Sequence, residues 1–132
     1  GDVIADTQQG CTIWSTDTVF SFFAREFHAR GWDVKEIIHV TEAKGVWQSQ
    51  EKQDKGEIYK MITPALEKEV KTKMVKTKGF DVTGGMWLKI EEALSLTKLG
   101  IQTRILSGVV EDALYETLVG KKEHGTVITN VP

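Results

Sequence analysis

A glycine-rich turn followed by a lysine is the part of this sequence best suited to chemistry. The run reads Asp81-Val82-Thr83-Gly84-Gly85-Met86, and Lys89 follows shortly after it. Glycines let backbone amides turn toward an anion, and a helix that begins here adds the positive end of its dipole. Lys89, about one turn into that helix, can place an ammonium on a nucleotide phosphate. We therefore predict that Thr83, Gly84, Gly85 and Lys89 bind nucleotide phosphates.

The same spacing also fits an ordinary capped helix followed by a surface lysine, and spacing alone leaves both interpretations open. The segment is not a Walker A loop, because the G-x-x-x-x-G-K-[ST] pattern is absent from the sequence. Asp81, just before the glycines, either enters the helix as a favourable acid or orients Lys89.

The elements that must position this segment alternate between short β-like runs and longer helical patterns. Strands are predicted over residues 3–5, 11–14, 36–41, 102–106 and 126–129, and helices up to about 30, from 64, from 84 or 85 to 99, and over 110–118. This order predicts an α/β fold with a mostly parallel sheet and helices on both faces, whose ligands bind at the carboxyl ends of the strands. The phenylalanine-rich first helix is expected to be mostly buried, and residues 71–81 to form a charged connection.

Length and composition restrict the class of protein. The 132 residues suit one domain with one core, since 40% are hydrophobic and 27% charged. A formal net charge of -2 gives no basic excess for nucleic acid or an anionic membrane surface. No apolar run approaches the ~18 residues that span a bilayer. We predict one domain over residues 1–132 that binds neither nucleic acid nor membrane.

The single cysteine and the first residues bear on the setting of the protein. Cys11 cannot form an internal disulfide, which favours a reduced, cytoplasmic setting, and its apolar surroundings predict a buried small residue rather than a nucleophile. The chain begins Gly1-Asp2-Val3 without a Met. We therefore expect a fragment, one chain of a split protein, or a processed product.

The glycine-rich run with Lys89 resembles the nucleotide-binding signature of the amino acid kinase superfamily, and of isopentenyl phosphate kinases in particular. The likeness covers nearly the whole chain. The family's Ser-Gly-Asp motif reads Ser15-Thr16-Asp17 here, and its Thr-Asp-Val-Asp-Gly-Val-Tyr run corresponds to residues 41–47. Supporting likenesses to the family's strands lie at residues 1–3, 10–13, 37–40, 100–108 and 125–128.

The resemblance implies the C-terminal, nucleotide-binding half of an amino acid kinase-like three-layer sandwich. It implies ATP-dependent phosphoryl transfer to isopentenyl phosphate, giving isopentenyl diphosphate, with Mg²⁺ arriving on the ATP. Gly85 and Lys89 would contact ATP phosphates, and Lys89 is the catalytic residue expected to matter most. The family's N-terminal half, which binds the acceptor, has no counterpart here and is expected in the same or a separate chain.

Three positions depart from the family pattern beside the expected ligands. Thr16 stands where the family has a glycine next to the phosphate acceptor, so Ser15 and Thr16 are expected to bind substrate and Thr16 to narrow or block that pocket. Glu42 replaces an aspartate near the nucleotide and keeps its charge. Lys44 replaces a second acid and inverts the charge there, although it can still bind phosphate.

Asp17 and the three histidines are the remaining candidate functional residues. Asp17 is predicted to be catalytic by holding in place a lysine of the missing half, and an N-terminal helix acid favoured by the dipole is an equal interpretation. The histidines match neither the family's acceptor-orienting histidine nor a metal-site spacing, so structural or surface roles are expected for His28, His39 and His124.

Two further functions stay open on the sequence. One is another small-molecule kinase of the superfamily, acting on fosfomycin, carbamate or uridylate. The other is a non-catalytic nucleotide-binding subunit, which the departures at Thr16 and Lys44 favour. Because the superfamily commonly forms homo-oligomers, the resemblance also implies a possible homo-oligomer.

Overall fold

Two separate sheets and the helices packed on them make up the described part of the chain. The computed structural model describes residues 2–48, 56–75 and 85–130. The predicted site residues Thr83 and Gly84, and Asp81 before them, lie outside these ranges. The elements are β1 (Asp2–Asp6), β2 (Gly10–Trp14), α1 (Thr16–Ala29), β3 (Glu36–Thr41), β4 (Met61–Ile62), a 3-10 turn (Pro64–Leu66), α2 (Glu67–Val75), α3 (Gly85–Thr97), β5 (Gln102–Ser107), α4 (Ala113–Leu118) and β6 (Thr126–Ile128).

β1 and β2 form the predicted strand pair as an antiparallel hairpin. Its turn forms because Asp6 Oδ1 accepts hydrogen bonds from the backbone N–H groups of Gln8 and Gln9, at 2.9 and 2.7 Å. Cys11 is exposed on β2, so the prediction that it is buried is wrong. Alternate residues of a strand face opposite ways, and Cys11 shares the uncovered face with Ile13, which is 72% exposed.

The second sheet has the strand order β3-β5-β6-β4. β3 is parallel to β5 and β4 is parallel to β6, while β5 and β6 run antiparallel. The predicted α/β fold with a mostly parallel sheet is confirmed, and the β5–β6 pair is its antiparallel exception. β3 and β5 pair in register from Glu36 opposite Gln102 to Thr41 opposite Ser107, so both strands end at one edge of the sheet.

The main core lies between this sheet and α3. Ile105 of β5 belongs to one buried cluster with Ile90 and Leu94 of α3, and each such side chain contributes about 1.5–3 kcal/mol when removed from water. Neighbouring strand residues alternate between faces, so Arg104 points away from α3. It contacts the carbonyl of His124, which places the segment between α4 and β6 beside the second face.

Two local expectations differ from the structure. Residues 71–75 continue α2 instead of forming a connection, because Val70 and Met74, one helical turn apart, are both buried. α4 begins at Ala113 rather than at 110, since Asp112 takes a φ of 56°, which no helix interior accepts. Among the described residues, no helix combines the length and apolar character needed to cross a bilayer.

The expectation that α1 is mostly buried is wrong. Phe22, Phe23 and Phe27 are 42%, 48% and 38% exposed. Their rings form a continuous series, with Phe22 next to Phe23 and Phe27 stacked on Trp32. Trp14 of β2 meets Phe22 edge-on, with ring centroids 5.7 Å apart, but it leaves these rings more than one third exposed, so an apolar pattern does not produce burial here.

Candidate functional site

A cavity of about 580 Å³ lies among the start of α1, the end of β3 and α3. We call it the Asp17–Lys89 cavity. Four of the predicted site residues line it together: Ser15, Thr16, Asp17 and Lys89. The remaining lining comes from α1 and β3, namely Phe20, Ile38, His39, Val40 and Thr41. The cavity therefore lies at the carboxyl end of β3, where the sequence places the ligand site.

An ion pair between two helices forms one wall of this cavity. The Lys89 ammonium donates a hydrogen bond to Asp17 Oδ1. Their side chains are only 16% and 13% exposed, so water screens this pair less than an exposed one. Asp17 thus neutralises and orients the cation that the sequence predicts to act on phosphate. The lysine that Asp17 holds in the structure is on this same chain.

His39 completes a group of three ionisable side chains. Its Nδ1 lies 3.4 Å from Asp17 Oδ1, and its side chain is 9% exposed. The ring meets Phe20 edge-on, with ring centroids 5.5 Å apart. Burial and the positive charge of Lys89 lower the pKa of His39 below its ordinary value, against the opposing effect of Asp17. Burial and the neighbouring ammonium thus favour the neutral form of His39.

Sequence reasoning assigned His39 only a structural or surface role and did not connect it with Asp17. The two-residue period of a β-strand could have indicated this contact. His39 precedes Thr41 by two positions on β3, so both side chains face the same side of the sheet and approach α1 together. His39 reaches Asp17 because α1 packs against β3.

Ser15 and Thr16 have different local roles at the rim. Ser15 is the N-cap of α1, since its Oγ accepts a hydrogen bond from the Thr18 backbone N–H at 3.2 Å and lies 3.0 Å from Thr18 Oγ1. Its hydroxyl is therefore already engaged with the first turn of the helix. Thr16, the first residue of α1, is exposed and presents its side chain toward the cavity opening.

The predicted nucleotide residues are only partly brought together. Gly85 begins α3, the helix that carries Lys89. Glu42 and Lys44 follow β3 but do not line the Asp17–Lys89 cavity. The Glu42 carbonyl accepts a hydrogen bond from Ser107 Oγ at 3.1 Å, which ties the ends of β3 and β5 together. Lys44 lines a different cavity, so the structure separates it from Lys89.

Comparison with known proteins gives a sequence relative and structural neighbours. No protein-family profile matches the chain. Isopentenyl phosphate kinase of Arabidopsis thaliana is 25% identical over 144 residues, which cover 91% of this chain and 42% of that protein. Crystal structures of isopentenyl phosphate kinase superpose with a TM-score of 0.66 at 22% identity, covering 98% of this chain and 44% of theirs.

A second structural neighbour carries the same fold in a different enzyme. The crystal structure of N-acetylglutamate synthase from Neisseria gonorrhoeae, complexed with coenzyme A and L-arginine, superposes with a TM-score of 0.65 at 13% identity. The match covers 91% of this chain and 24% of that one. This chain spans less than half the length of each of these proteins. The resemblance to isopentenyl phosphate kinase found in the sequence is confirmed, since that kinase is similar to this chain in both sequence and fold.

Proposed function

We propose that this chain supplies the ATP-phosphate site of a small-molecule kinase, with Lys89 as the residue that acts on the transferring phosphoryl group. The observation that carries the proposal is the placement of the Lys89 ammonium on the wall of the Asp17–Lys89 cavity, held by Asp17. Its volume of about 580 Å³ falls within the range of small-molecule sites. Kinase ancestry is supported by the relative in Arabidopsis thaliana.

The chemistry of such a site is positioning and charge stabilisation. Phosphoryl transfer spreads negative charge over the phosphate oxygens, and a fixed ammonium stabilises that charge as it develops. Asp17 holds the Lys89 ammonium in place, while Gly85 at the start of α3 lets a phosphate approach the helix N-terminus without a side chain in the way. Lys89 then exchanges part of its contact with Asp17 for a phosphate oxygen.

Magnesium fits this site as a companion of the nucleotide. Within residues 2–48, 56–75 and 85–130, no cluster of three His, Cys, Asp or Glu side chains could hold a metal ion. The carboxylate on the cavity wall, Asp17, is already paired with Lys89. Mg²⁺ binds readily through phosphate oxygens and water, and when bound it supplies neutralisation of the phosphate charge. We therefore propose that it enters with ATP in the reduced setting of the cytoplasm.

The proposed acceptor is isopentenyl phosphate, which would become isopentenyl diphosphate. Support comes from the shared ancestry with isopentenyl phosphate kinase. Thr16 stands at the cavity rim, where its exposed side chain would touch or exclude an acceptor phosphate. Assays with fosfomycin, carbamate and uridylate in parallel distinguish the isopentenyl phosphate assignment from other kinases of the superfamily.

The acceptor half is proposed to dock on the exposed side of α1 and on β3. Phe22, Phe23, Phe27 and Trp32 form a connected aromatic surface, each more than one third exposed. β3 is an edge strand of the described sheet, so its outer backbone groups can pair with another strand. The relatives are more than twice as long as this chain, which leaves room for such a half.

The deciding experiment is titration of ATP into this chain by calorimetry, with Lys89→Ala compared with Lys98→Ala. Lys98 follows the same helix and is exposed, so its loss removes the same charge without touching the cavity. We expect Lys89→Ala to weaken ATP binding at least about tenfold, since hydrogen bonds to charged groups contribute roughly 1.5–3 kcal/mol. Lys98→Ala should bind ATP normally. Equal ATP affinity in both variants contradicts the proposal.

Transfer is measured on the native protein that contains this chain, after an intact-mass spectrum has shown whether a longer or second chain accompanies it. We expect transfer to isopentenyl phosphate, and a strong loss of it in Lys89→Ala. ATP binding without acceptor-dependent turnover, with the acceptor half present, would instead identify a non-catalytic nucleotide-binding subunit. The departures from the family pattern at Thr16 and Lys44 are the features that favour this second function.

A further inference from the structure

A second cavity, of about 330 Å³, lies at the carboxyl end of β5. Its walls include Ser107 at the end of β5, Ala113 at the start of α4 and Gly125 just before β6. It shares no lining residue with the Asp17–Lys89 cavity. Apart from Lys44, none of its residues has a part in the proposed kinase site.

Three lysines from separate segments line this space, which we call the lysine cavity: Lys44, Lys60 and Lys122. In the described part of the chain, none of the three forms an ion pair with a carboxylate. Glu123 also lines the cavity, but its carboxylate lies 3.5 Å from Arg104 and its side chain is 85% exposed. Lys122 also interacts electrostatically with Glu116 of α4, beyond ion-pair distance. The like charges around this one concave space repel each other, so an anion bound among them is favoured.

Contacts of Arg104 and of the His124 ring hold the loop that carries Lys122 in place. Arg104, whose side chain is 7% exposed, donates to the His124 carbonyl at 3.3 Å and to Glu36 Oε1 at 2.9 Å. The His124 ring lies 2.6 Å from Glu116 Oε2 on α4. Because both sides of the loop are anchored, the wall of the cavity is formed before a ligand arrives, which reduces the entropy lost on binding.

The lining also includes three apolar residues. Ile58, Val110 and Ala113 face the same space as the lysines. An ammonium is a compact point charge that suits phosphate groups, and a small apolar surface beside it suits a short hydrocarbon group. We propose that the lysine cavity binds a small organic phosphate or diphosphate, with its anionic end among the lysines and its apolar part against Ile58 and Val110. This site is independent of whether Lys89 acts on ATP.

The test is a titration of the ¹⁵N-labelled chain with two probes, inorganic pyrophosphate and isopentenyl diphosphate, followed by NMR. The Gly125 amide reports on the lysine cavity, and the Gly85 amide reports on the start of α3. Lys60→Gln/Lys122→Gln removes two cavity charges, and Lys35→Gln/Lys98→Gln removes two exposed charges elsewhere. All four lysine side chains are exposed, so replacing them should leave the fold intact. A ligand-free NMR spectrum that matches that of the native chain verifies this for both double variants.

We expect both probes to shift the Gly125 signal in the native chain, in the Lys35→Gln/Lys98→Gln control and in Lys89→Met. In Lys60→Gln/Lys122→Gln the affinity read at Gly125 should fall at least about tenfold. Tighter binding of isopentenyl diphosphate than of pyrophosphate supports the organic ligand, and equal affinities overturn that part. A Gly125 signal that neither probe moves, or equal affinity in the two double variants, overturns the site itself. If Lys89→Met abolishes ATP binding, the binding of the two probes read at the Gly125 signal should still be unchanged.

Discussion

The Lys89 ammonium on α3 donates its hydrogen bond to Asp17 on α1, two residues 72 positions apart in the chain. The same two helices also meet through Arg25, which lies 3.7 Å from Glu92. The ion pair therefore belongs to an interface between helices and not to one flexible loop. Such an interface fixes the cation relative to β3, whose end also lines the cavity.

Asp17→Asn should destabilise the protein and weaken its phosphate chemistry. The substitution keeps the size of the side chain but leaves the Lys89 ammonium without its counter-charge in a site that is 16% exposed. We expect the free energy of unfolding to fall by about 1–3 kcal/mol, measured by urea denaturation. Glu26→Gln on the same helix is the control, since its pair with Arg30 is exposed and should be worth less than about 0.5 kcal/mol.

A double variant separates the charge pair from simple packing. Asp17→Asn/Lys89→Met removes both partners, so neither charge remains unpaired. We expect the double variant to be more stable than the sum of the two single losses predicts, with an interaction energy of about 0.5–3 kcal/mol. Additive losses would show that the two side chains do not act as a pair in solution.

His39 should make stability depend on pH. Its pKa in the folded chain is lowered from 6.5, so below that pH the unfolded chain binds a proton that the folded chain does not. The free energy of unfolding should therefore be fully retained above about pH 6.5 and decline as pH falls below it. Denaturation midpoints across this range measure the slope, and the His39 ring resonances measure the pKa directly.

His39→Phe is the matched variant for this pH dependence, because it keeps an aromatic ring against Phe20 and removes the titrating group. We expect a flatter stability profile between pH 5 and pH 7 in this variant. His28→Phe, on the exposed part of α1, should keep the native profile. A native slope in His39→Phe would assign the pH dependence to another group.

Phe23→Ser should weaken docking of the acceptor half more than it weakens the fold. Phe23 is 48% exposed and stacks on Phe27, so its loss within this chain is expected to cost about 1 kcal/mol. Val3→Ser is the control, since Val3 is 73% exposed on the hairpin, away from the aromatic series. Titration of the two halves by sedimentation velocity measures the change, and equal affinities in the two variants would place the interface elsewhere.

Gly125→Ala should unfold the closing strands. A Cβ at this position would lie 2.0 Å from the Ile105 carbonyl oxygen, and the φ of +79° already disfavours any side chain. Gly120→Ala isolates the backbone contribution, because Gly120 has a similar φ of +68° but no atom within 4 Å of its Cβ. We expect Gly120→Ala to cost about 1–2 kcal/mol and Gly125→Ala clearly more, measured by thermal unfolding. Similar melting temperatures would mean that β5 and β6 can separate without loss.

The sequence alone predicted those features that depend on a few neighbouring residues. The strand over residues 36–41 has the predicted limits, because its β-branched residues are a local signal that needs no distant partner to be recognised. α3 ends before Gly100, whose φ of +74° ends the helix. Capping, turns and periodicity are local, so the α/β order of elements could be derived from them.

Only the tertiary structure decided which of these elements meet. The pairing of Asp17 with Lys89 and the approach of His39 depend on α1 packing beside α3 over β3. The separation of Lys44 into its own cavity depends on where the chain turns after β3. The exposure of Phe23 depends on what covers α1, which no helical pattern encodes. These are contacts between residues far apart in the chain, and their free energy appears only when the sheet brings the segments together.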